Sequence, residues 1–249
     1  MMFILSLFFW GFIGLTSIFL FPFAVLIWLI TFLPDKNLKI LHFFTSFWAS
    51  LYTWCNPLWR VKINGKENID PKKTYVYISN HQSFVDVLVL FRLFSHYKWV
   101  SKIENFRIPF IGWNMYLNRY IQLKRGSMKS NARMIKDCVD ALKLGSSVFI
   151  FPEGTRSVDG NIKTFKEGAF EIALRTGLPI LPIVINGTSK ALPKKGFVLR
   201  GKHSIQIKVL PEIPYESFKG KDSKTLTKEI QNMMKDKLEQ LKKEIHAGK

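Results

Sequence analysis

Between Met1 and Pro34 this 249-residue chain has no charged side chain. About 20 apolar residues suffice to cross a bilayer, so the uncharged run is long enough to enter a membrane and too apolar for a solvated surface helix. Cysteine is nearly missing. Cys55 and Cys138 stand alone, with neither the spacing of a metal site nor the number of a disulfide framework, as suits a reducing compartment. No Gly-x-Ser-x-Gly elbow occurs, which removes the usual serine hydrolase nucleophile. There is no recognised nucleic-acid motif, internal repeat or low-complexity linker. Acidic residues are few, 18 against 37 basic. Hydrophobic residues make up 47% of the chain and phenylalanines number 22, which excludes a disordered protein and allows one sizeable core.

The uncharged run contains Pro22, where a helix is expected to kink because proline removes a hydrogen bond. A turn is expected over residues 31–37, then a second apolar stretch over 38–59 with Lys39 as its only charge. Together residues 1–59 read as a two-helix membrane-anchoring segment ahead of a single domain over 60–249. Trp48, Tyr52, Trp54 and Trp59 suit the headgroup zone. No Lys or Arg precedes the first apolar run and no small-residue cleavage site follows it promptly, unlike a signal peptide. By the positive-inside tendency the basic remainder belongs on the cytoplasmic face of the cell membrane. The competing reading is a buried helical hairpin in a soluble core.

Beyond residue 60 short β-rich runs alternate with helical patterns. Strands are expected over 74–79, 99–101, 120–123, 147–151, 181–185 and 204–210. Helices are expected over 86–94, over 127–144 with Ser127 as N-cap, and over 164–176 stopping at Gly177. Leu226, Ile230, Met233, Leu238, Leu241 and Ile245 predict an amphipathic helix packed on the domain. This alternation predicts an α/β fold with a mostly parallel central sheet flanked by helices, preceded by the two-helix membrane motif. Residues 60–215 hold 26 basic and 11 acidic side chains. Such a domain seeks anions, whether nucleic acid, phosphate-bearing metabolites or an anionic membrane.

In parallel sheets ligands gather beyond the carboxyl ends of the strands, and two polar clusters sit at such places. Asn80-His81-Gln82-Ser83-Phe84-Val85-Asp86 follows one strand; Phe151-Pro152-Glu153-Gly154-Thr155-Arg156-Ser157 closes another. A histidine serves as base near neutral pH, and an aspartate one helical turn on can fix its tautomer and stabilise the imidazolium. The same spacing also suits a purely structural hydrogen bond. Ser83 reads as a helix N-cap, so the pair lacks a protein nucleophile, and the substrate must bring the attacking group. Gly154 lets a ligand approach the backbone, Arg156 can grip a phosphate with two parallel bonds, and Glu153 can hold that arginine or a ligand hydroxyl. The alternative is a solvated turn with a surface ion pair. Lys166, at the start of a helix, can add to an anion site or be an ordinary surface lysine. Lys102 to Arg125 form a third cluster, with Trp113 bordering an acyl channel or the plain core.

These residues resemble the glycerolipid acyltransferase family, in its bacterial 1-acyl-glycerol-3-phosphate acyltransferase (PlsC) branch. Four blocks occur in the family's order across roughly residues 60–215: Asn80-His81 to Asp86; Lys102, Pro109, Gly112 and Trp113 to Arg125; residues 151–157; and residues 181–187. At the end of the second block, where the family often has Ile-Asp-Arg, the chain reads Ile121-Gln122-Leu123-Lys124-Arg125, and Lys124 replaces an acid. The resemblance implies that His81 is the general base and Asp86 orients it. It implies that Glu153, Gly154, Thr155 and Arg156 bind the glycerol-phosphate part, with Lys102, Arg125 and Lys166 as further basic contacts and Pro182 shaping the pocket. The implied reaction moves an acyl group from acyl-CoA or acyl carrier protein to lysophosphatidic acid, with no cofactor or metal. Glycerol 3-phosphate or another lysophospholipid as acceptor, and a membrane-tethered nucleic-acid-binding module, are the alternatives. Backbone N–H groups at the start of a helix over 83–93 are expected to steady the oxyanion.

Overall fold

The computed structural model describes residues 1–194 and 196–247. Its elements are, in order, α1 (Met2–Thr31), α2 (Lys39–Trp54), β1 (Trp59–Asn64), β2 (Val76–Ser79), α3 (Val85–Leu90), β3 (Tyr97–Lys102), α4 (Ile111–Leu117), β4 (Ile121–Leu123), α5 (Met128–Lys143), β5 (Ser147–Ile150), α6 (Gly168–Thr176), β6 (Ile180–Asn186), α7 (Thr188–Ala191), β7 (His203–Val209) and α8 (Ser223–Ala247). The strands form one seven-stranded sheet in the order β1-β7-β6-β2-β5-β3-β4. Every pairing is parallel except β6 with β7. The expected α/β architecture is therefore present.

The central strands are apolar on both faces because both faces are covered. Tyr75 and Tyr77 point into a core shared with α1, α2 and α3. Val76 and Ile78, one residue out of phase, point into a second core shared with α5, α6 and α8. This period-2 alternation makes β2 the hinge of a three-layer sandwich. On α8, Leu226, Ile230, Leu238 and Leu241 are buried as expected, but Met234 takes the deepest place and Met233 is only partly covered. The Ile245 side chain lies outside the described residues. The helix expected over 164–176 starts only at Gly168, and residues 164–167 lead into it.

Helix α1 runs unbroken through Pro22, so the expected kink does not interrupt it. It is the one described helix long and apolar enough to cross a membrane. It nevertheless leans on the domain along its length. Phe9 meets Trp59, Trp10 meets Phe84, and Phe21 meets Phe110 and Trp113. Residues 10 and 21 are separated by roughly 16 Å of helix, so these contacts hold it lengthwise. The opposite face exposes Phe8, Leu15, Phe19, Leu26 and Ile30.

Helix α2 is amphipathic in the inverted sense. Its polar residues His42, Thr45, Ser46, Ser50 and Thr53 are buried. His42 bonds Tyr120 and the Ser95 carbonyl, and Thr45 Oγ1 accepts from Asn114 and Asn118. Its apolar residues Ile40, Phe43, Phe47 and Trp54 face outward. Trp54 keeps the outward place expected of it, whereas Trp48, Tyr52 and Trp59 are core residues and not headgroup contacts. Tyr52 is consumed in bonds to Trp48 and α1, and Trp59 opens β1 instead of ending a helix.

Gly112 at the start of α4 sits against the 103–107 turn. A Cβ there would lie 2.4 Å from the Phe106 carbonyl oxygen and 2.8 Å from that of Asn105. Since both neighbours are backbone, Gly112→Ala should destabilise the fold by roughly 1–3 kcal/mol, read as a lower midpoint of thermal unfolding in detergent. An unchanged midpoint would mean that this turn yields freely.

Candidate active site

Five parallel strands end on the same side of the sheet, and each delivers one part of the site. In sheet order the ends are Leu123 of β4, Lys102 of β3, Ile150 of β5, Ser79 of β2 and Asn186 of β6. Adjacent strands are about 4.8 Å apart, so the loops 80–86 and 151–157 are immediate neighbours.

The β2 loop is locked first. Asn80 uses its side-chain amide as a strand residue would: Nδ2 donates to the Ile185 carbonyl at 2.9 Å and Oδ1 accepts from the Ile185 N–H at 2.8 Å. Next, His81 Nδ1 lies 2.8 Å from Asp86 Oδ2. That oxygen also accepts the backbone N–H of Gln82 at 2.5 Å and of Ser83 at 2.8 Å. The other carboxylate oxygen accepts the hydroxyl of Thr188. Asp86 is fully buried, and a buried carboxylate survives only with such satisfaction. With Nδ1 donating to Asp86, the lone pair of His81 is on Nε2. The His81 side chain keeps 13% of its surface open, and its ring stacks on Phe151 at 4.0 Å between centroids.

Three expectations change here. The amides of Gln82 and Ser83 are committed to Asp86 and are not available to an oxyanion. The helix begins at Val85 and has no side-chain cap; the Ser83 hydroxyl donates to the Leu192 carbonyl and is only a 3.3 Å acceptor for Val85. Glu153 does not reach Arg156. Its Oε1 accepts the His81 N–H at 2.8 Å and its Oε2 the Lys163 N–H at 3.0 Å. Burial pushes its carboxyl up to about 7, against the pull of those two amides. Glu153 thus braces the histidine loop against its neighbour.

The remaining residues form the cationic half. Gly154 has φ +66°, and a Cβ there would meet Lys166 Cε at 3.1 Å and Nζ at 3.2 Å. The Lys166 N–H also donates to the Pro152 carbonyl at 2.9 Å. Glycine is needed both for the left-handed backbone and for the lysine stem that covers it. Arg156 is half-buried beside the partly open Thr155. Arg125 lies near enough to Arg156 to feel its charge, which together with the larger effect of burial lowers the Arg125 pKa, opposed by Glu104. Lys102, opposite Leu123 in the β3–β4 register, pairs with Glu104 at 3.1 Å. Among the described residues no carboxylate forms an ion pair with Arg125 or Arg156. Two arginines without an ion pair of their own, with Glu104 shared between Lys102 and Arg125, leave this side of the site with an excess of positive charge that suits an anion. Pro182 is buried within β6 opposite Ile78. Trp113 stays half-exposed between Phe21 and Phe110.

Thr188 and Phe151 carry roles that residue spacing did not reveal. Phe151 was visible as part of a motif, but its stacking on His81 depends on β5 lying next to β2. Thr188 has no motif signal; only the β2–β6 pairing brings it to Asp86. No group of three or more His, Cys, Asp or Glu suited to a metal occurs among the described residues.

Comparison with known proteins adds context to this geometry. A family model described as Acyltransferase matches residues 60–186. A chloroplastic 1-acyl-sn-glycerol-3-phosphate acyltransferase of Brassica napus is 45% identical over 156 residues, covering 62% of this chain and 45% of that protein. The 1-acyl-sn-glycerol-3-phosphate acyltransferase of Pseudomonas aeruginosa is 33% identical over 187 residues, covering 71% of this chain and 72% of that one. The crystal structure of the 1-acyl-sn-glycerophosphate acyltransferase PlsC of Thermotoga maritima superposes with a TM-score of 0.81 at 25% identity, over 97% of this chain and 98% of that one. The chain spans about half the length of the chloroplast relatives it matches.

Glu153 generates a signed pH prediction. Its folded value of about 7 exceeds its ordinary 4.5. Between those values the folded chain retains a proton that the unfolded chain has lost, so this contribution to stability is full below about 4.5 and gone above about 7. In denaturant titrations Glu153→Gln should flatten the fall in stability over that interval. It should also cost roughly 1–3 kcal/mol, because the new NH2 faces one of two backbone donors. A variant as stable and as pH-sensitive as the wild type would refute the brace.

Proposed function

The chain belongs to the acyltransferase family, and from that premise we propose that it transfers a fatty acyl group from an acyl thioester to the sn-2 hydroxyl of 1-acyl-glycerol 3-phosphate, giving phosphatidic acid. The observation that carries this reading is the His81–Asp86 pair, 2.8 Å apart and partly open, beside a cation-rich cluster in which Lys102 pairs with Glu104 while Arg125 and Arg156 form no ion pair among the described residues. The base lacks a protein nucleophile to activate, so it acts on a hydroxyl of the substrate.

His81 Nε2 takes the hydroxyl proton as the oxygen attacks the thioester carbonyl. Asp86 holds the ring and stabilises the imidazolium. The tetrahedral intermediate collapses, the ester bond remains, and the leaving thiolate takes the proton back from His81. Arg156, Arg125, Lys166 and Lys102 receive the acceptor phosphate, Thr155 lines that subsite, and Glu153 and Gly154 shape it. Cationic loops that follow β3, β4 and β5 lie to one side of the β2 histidine in the strand order, so the phosphate and the hydroxyl of one glycerol unit are given to neighbouring strand ends. The donor is carried on CoA or acyl carrier protein, and no cofactor takes part.

The membrane supplies the acceptor lipid and takes up the phosphatidic acid product. The lengthwise contacts of α1 and the inverted amphipathicity of α2 support both helices lying in one leaflet, and the basic domain beyond them is assigned to the cytoplasmic side by the positive-inside tendency. A helix exposes Phe, Leu and Ile in this density only to an apolar surrounding.

Incubation of the detergent-purified protein with lysophosphatidic acid and a long-chain acyl-CoA should release thiol and phosphatidic acid in equal amounts. His81→Ala should lower the rate by roughly 10²–10⁴ with the thermal midpoint retained. Thiol release without phosphatidic acid, or full turnover in His81→Ala, would overturn the assignment.

A further inference from the structure

The connection from α7 to β7 is fastened to the N-terminal third of α1 through Phe197 and Leu199. Trp10 Nε1 donates to the Phe197 carbonyl at 2.7 Å, and the two rings meet edge to face at 5.8 Å. The Leu199 N–H donates to Ser6 Oγ at 2.9 Å. Leu199 is buried and, with Phe8, Phe12 and Leu58, lines an apolar groove of about 340 Å³ between the helices and the loop. The loop is thus continuous with the exposed apolar face of α1.

Yet its tip is not buried. Phe197 is 75% exposed and Val198 43%, even though the Phe197 ring touches Trp10 along one edge. The surrounding charge has one sign. No acidic residue occurs between Glu171 and Glu212, a span containing Arg175, Lys190, Lys194, Lys195, Arg200, Lys202 and Lys208. Lys190, Arg200 and Lys202, which flank the tip in sequence, are exposed, and the Arg200 N–H bonded to the Ala191 carbonyl draws the two flanks together. An exposed aromatic–aliphatic pair flanked by cations and joined to an apolar helix face matches an anionic lipid surface in both chemistry and charge.

We propose that this loop is a second membrane contact, in which Phe197 and Val198 enter the apolar edge of an anionic leaflet beside α1 while Lys190, Arg200 and Lys202 meet lipid phosphates. The proposal rests on the reading that α1 lies in one leaflet. It has a consequence for the site. The loop follows the Leu192 carbonyl that accepts from Ser83 and begins five residues after Thr188, which holds Asp86. Trp10, its partner on α1, also touches Phe84. Docking this loop therefore sets the histidine loop directly against the bilayer from which acceptor lipid arrives.

The test uses the full chain with Cys55→Ser, since Cys55 is exposed and Cys138 buried. An environment-sensitive fluorophore is attached through Phe197→Cys or, as control, through Phe19→Cys on the exposed face of α1. Each protein is reconstituted in vesicles of phosphatidylcholine alone or with about a third phosphatidylglycerol, with and without lipid-borne spin-label quenchers. The expected result is a blue-shifted, quenched emission at position 197 that strengthens with phosphatidylglycerol, and loss of that strengthening when Arg200→Gln and Lys202→Gln are added. Water-like, unquenched emission at 197 with quenched emission at 19 would overturn the loop contact while leaving the helix anchor standing. Unquenched emission at both positions would overturn the anchor and the loop together. A phosphatidylglycerol response that survives Arg200→Gln and Lys202→Gln would overturn the electrostatic part.

Discussion

One buried carboxylate organises the functional end of this molecule. Asp86 has no access to water and collects four donors: the His81 ring, two backbone amides and the Thr188 hydroxyl. An uncompensated charge in that place would cost several kcal/mol, so the loop closes around it in one geometry only. The tautomer and orientation of His81 follow from that closure. Because Thr188 comes from the end of β6 and the His81 backbone is braced by Glu153 from the end of β5, three strands are tied through the single six-residue stretch His81–Asp86.

The same sheet separates two chemically different sides. Beneath one face α5, α6 and α8 form an ordinary soluble exterior, with apolar residues inward and ion pairs such as Lys136–Asp140 outward. Over the other face α1 and α2 reverse the rule, turning His42, Thr45 and Ser46 inward and phenylalanines outward. His42 and Thr45 are satisfied by Tyr120, Ser95, Asn114 and Asn118, and Ser46 by the His42 carbonyl, whereas the buried Ser50 hydroxyl has no hydrogen-bond partner. Since α1 shares a core with the sheet, the apolar helices are structural walls of the domain as much as an anchor. In the proposed membrane setting this fixes the distance from the lipid surface to the histidine.

Parts of the site could be named from residues alone because they carry unusual chemistry at strand ends. His81, Asp86, Gly154, Arg156 and Arg125 belong to this group, and the structure brings them to one side of the sheet. What failed were statements about which atom meets which. Glu153, a candidate partner for Arg156, is spent on two amides, and of the oxyanion donors expected at the start of the helix over 83–93 the Ser83 amide is spent on Asp86. Tryptophans 48 and 59 carry a composition suited to a membrane interface, yet packing against α1 and the sheet claimed them for the core.

The sequence by itself determined what is local or periodic: the uncharged N-terminal run, the alternating strands and helices, the excess of cations, and the two polar clusters after β2 and β5. Spacing of 3.6 or 2 residues and the absence of charge are properties of a single segment, so no partner is needed to read them. Only the tertiary structure decided the strand order, and with it that Thr188 would bind Asp86, that Phe151 would stack on His81 and that Arg125 would stand near Arg156. It also decided that α1 would lie along the domain. Those side-chain contacts join residues between 31 and 102 positions apart, and which distant segments meet is set by how the apolar faces of the whole chain are buried together.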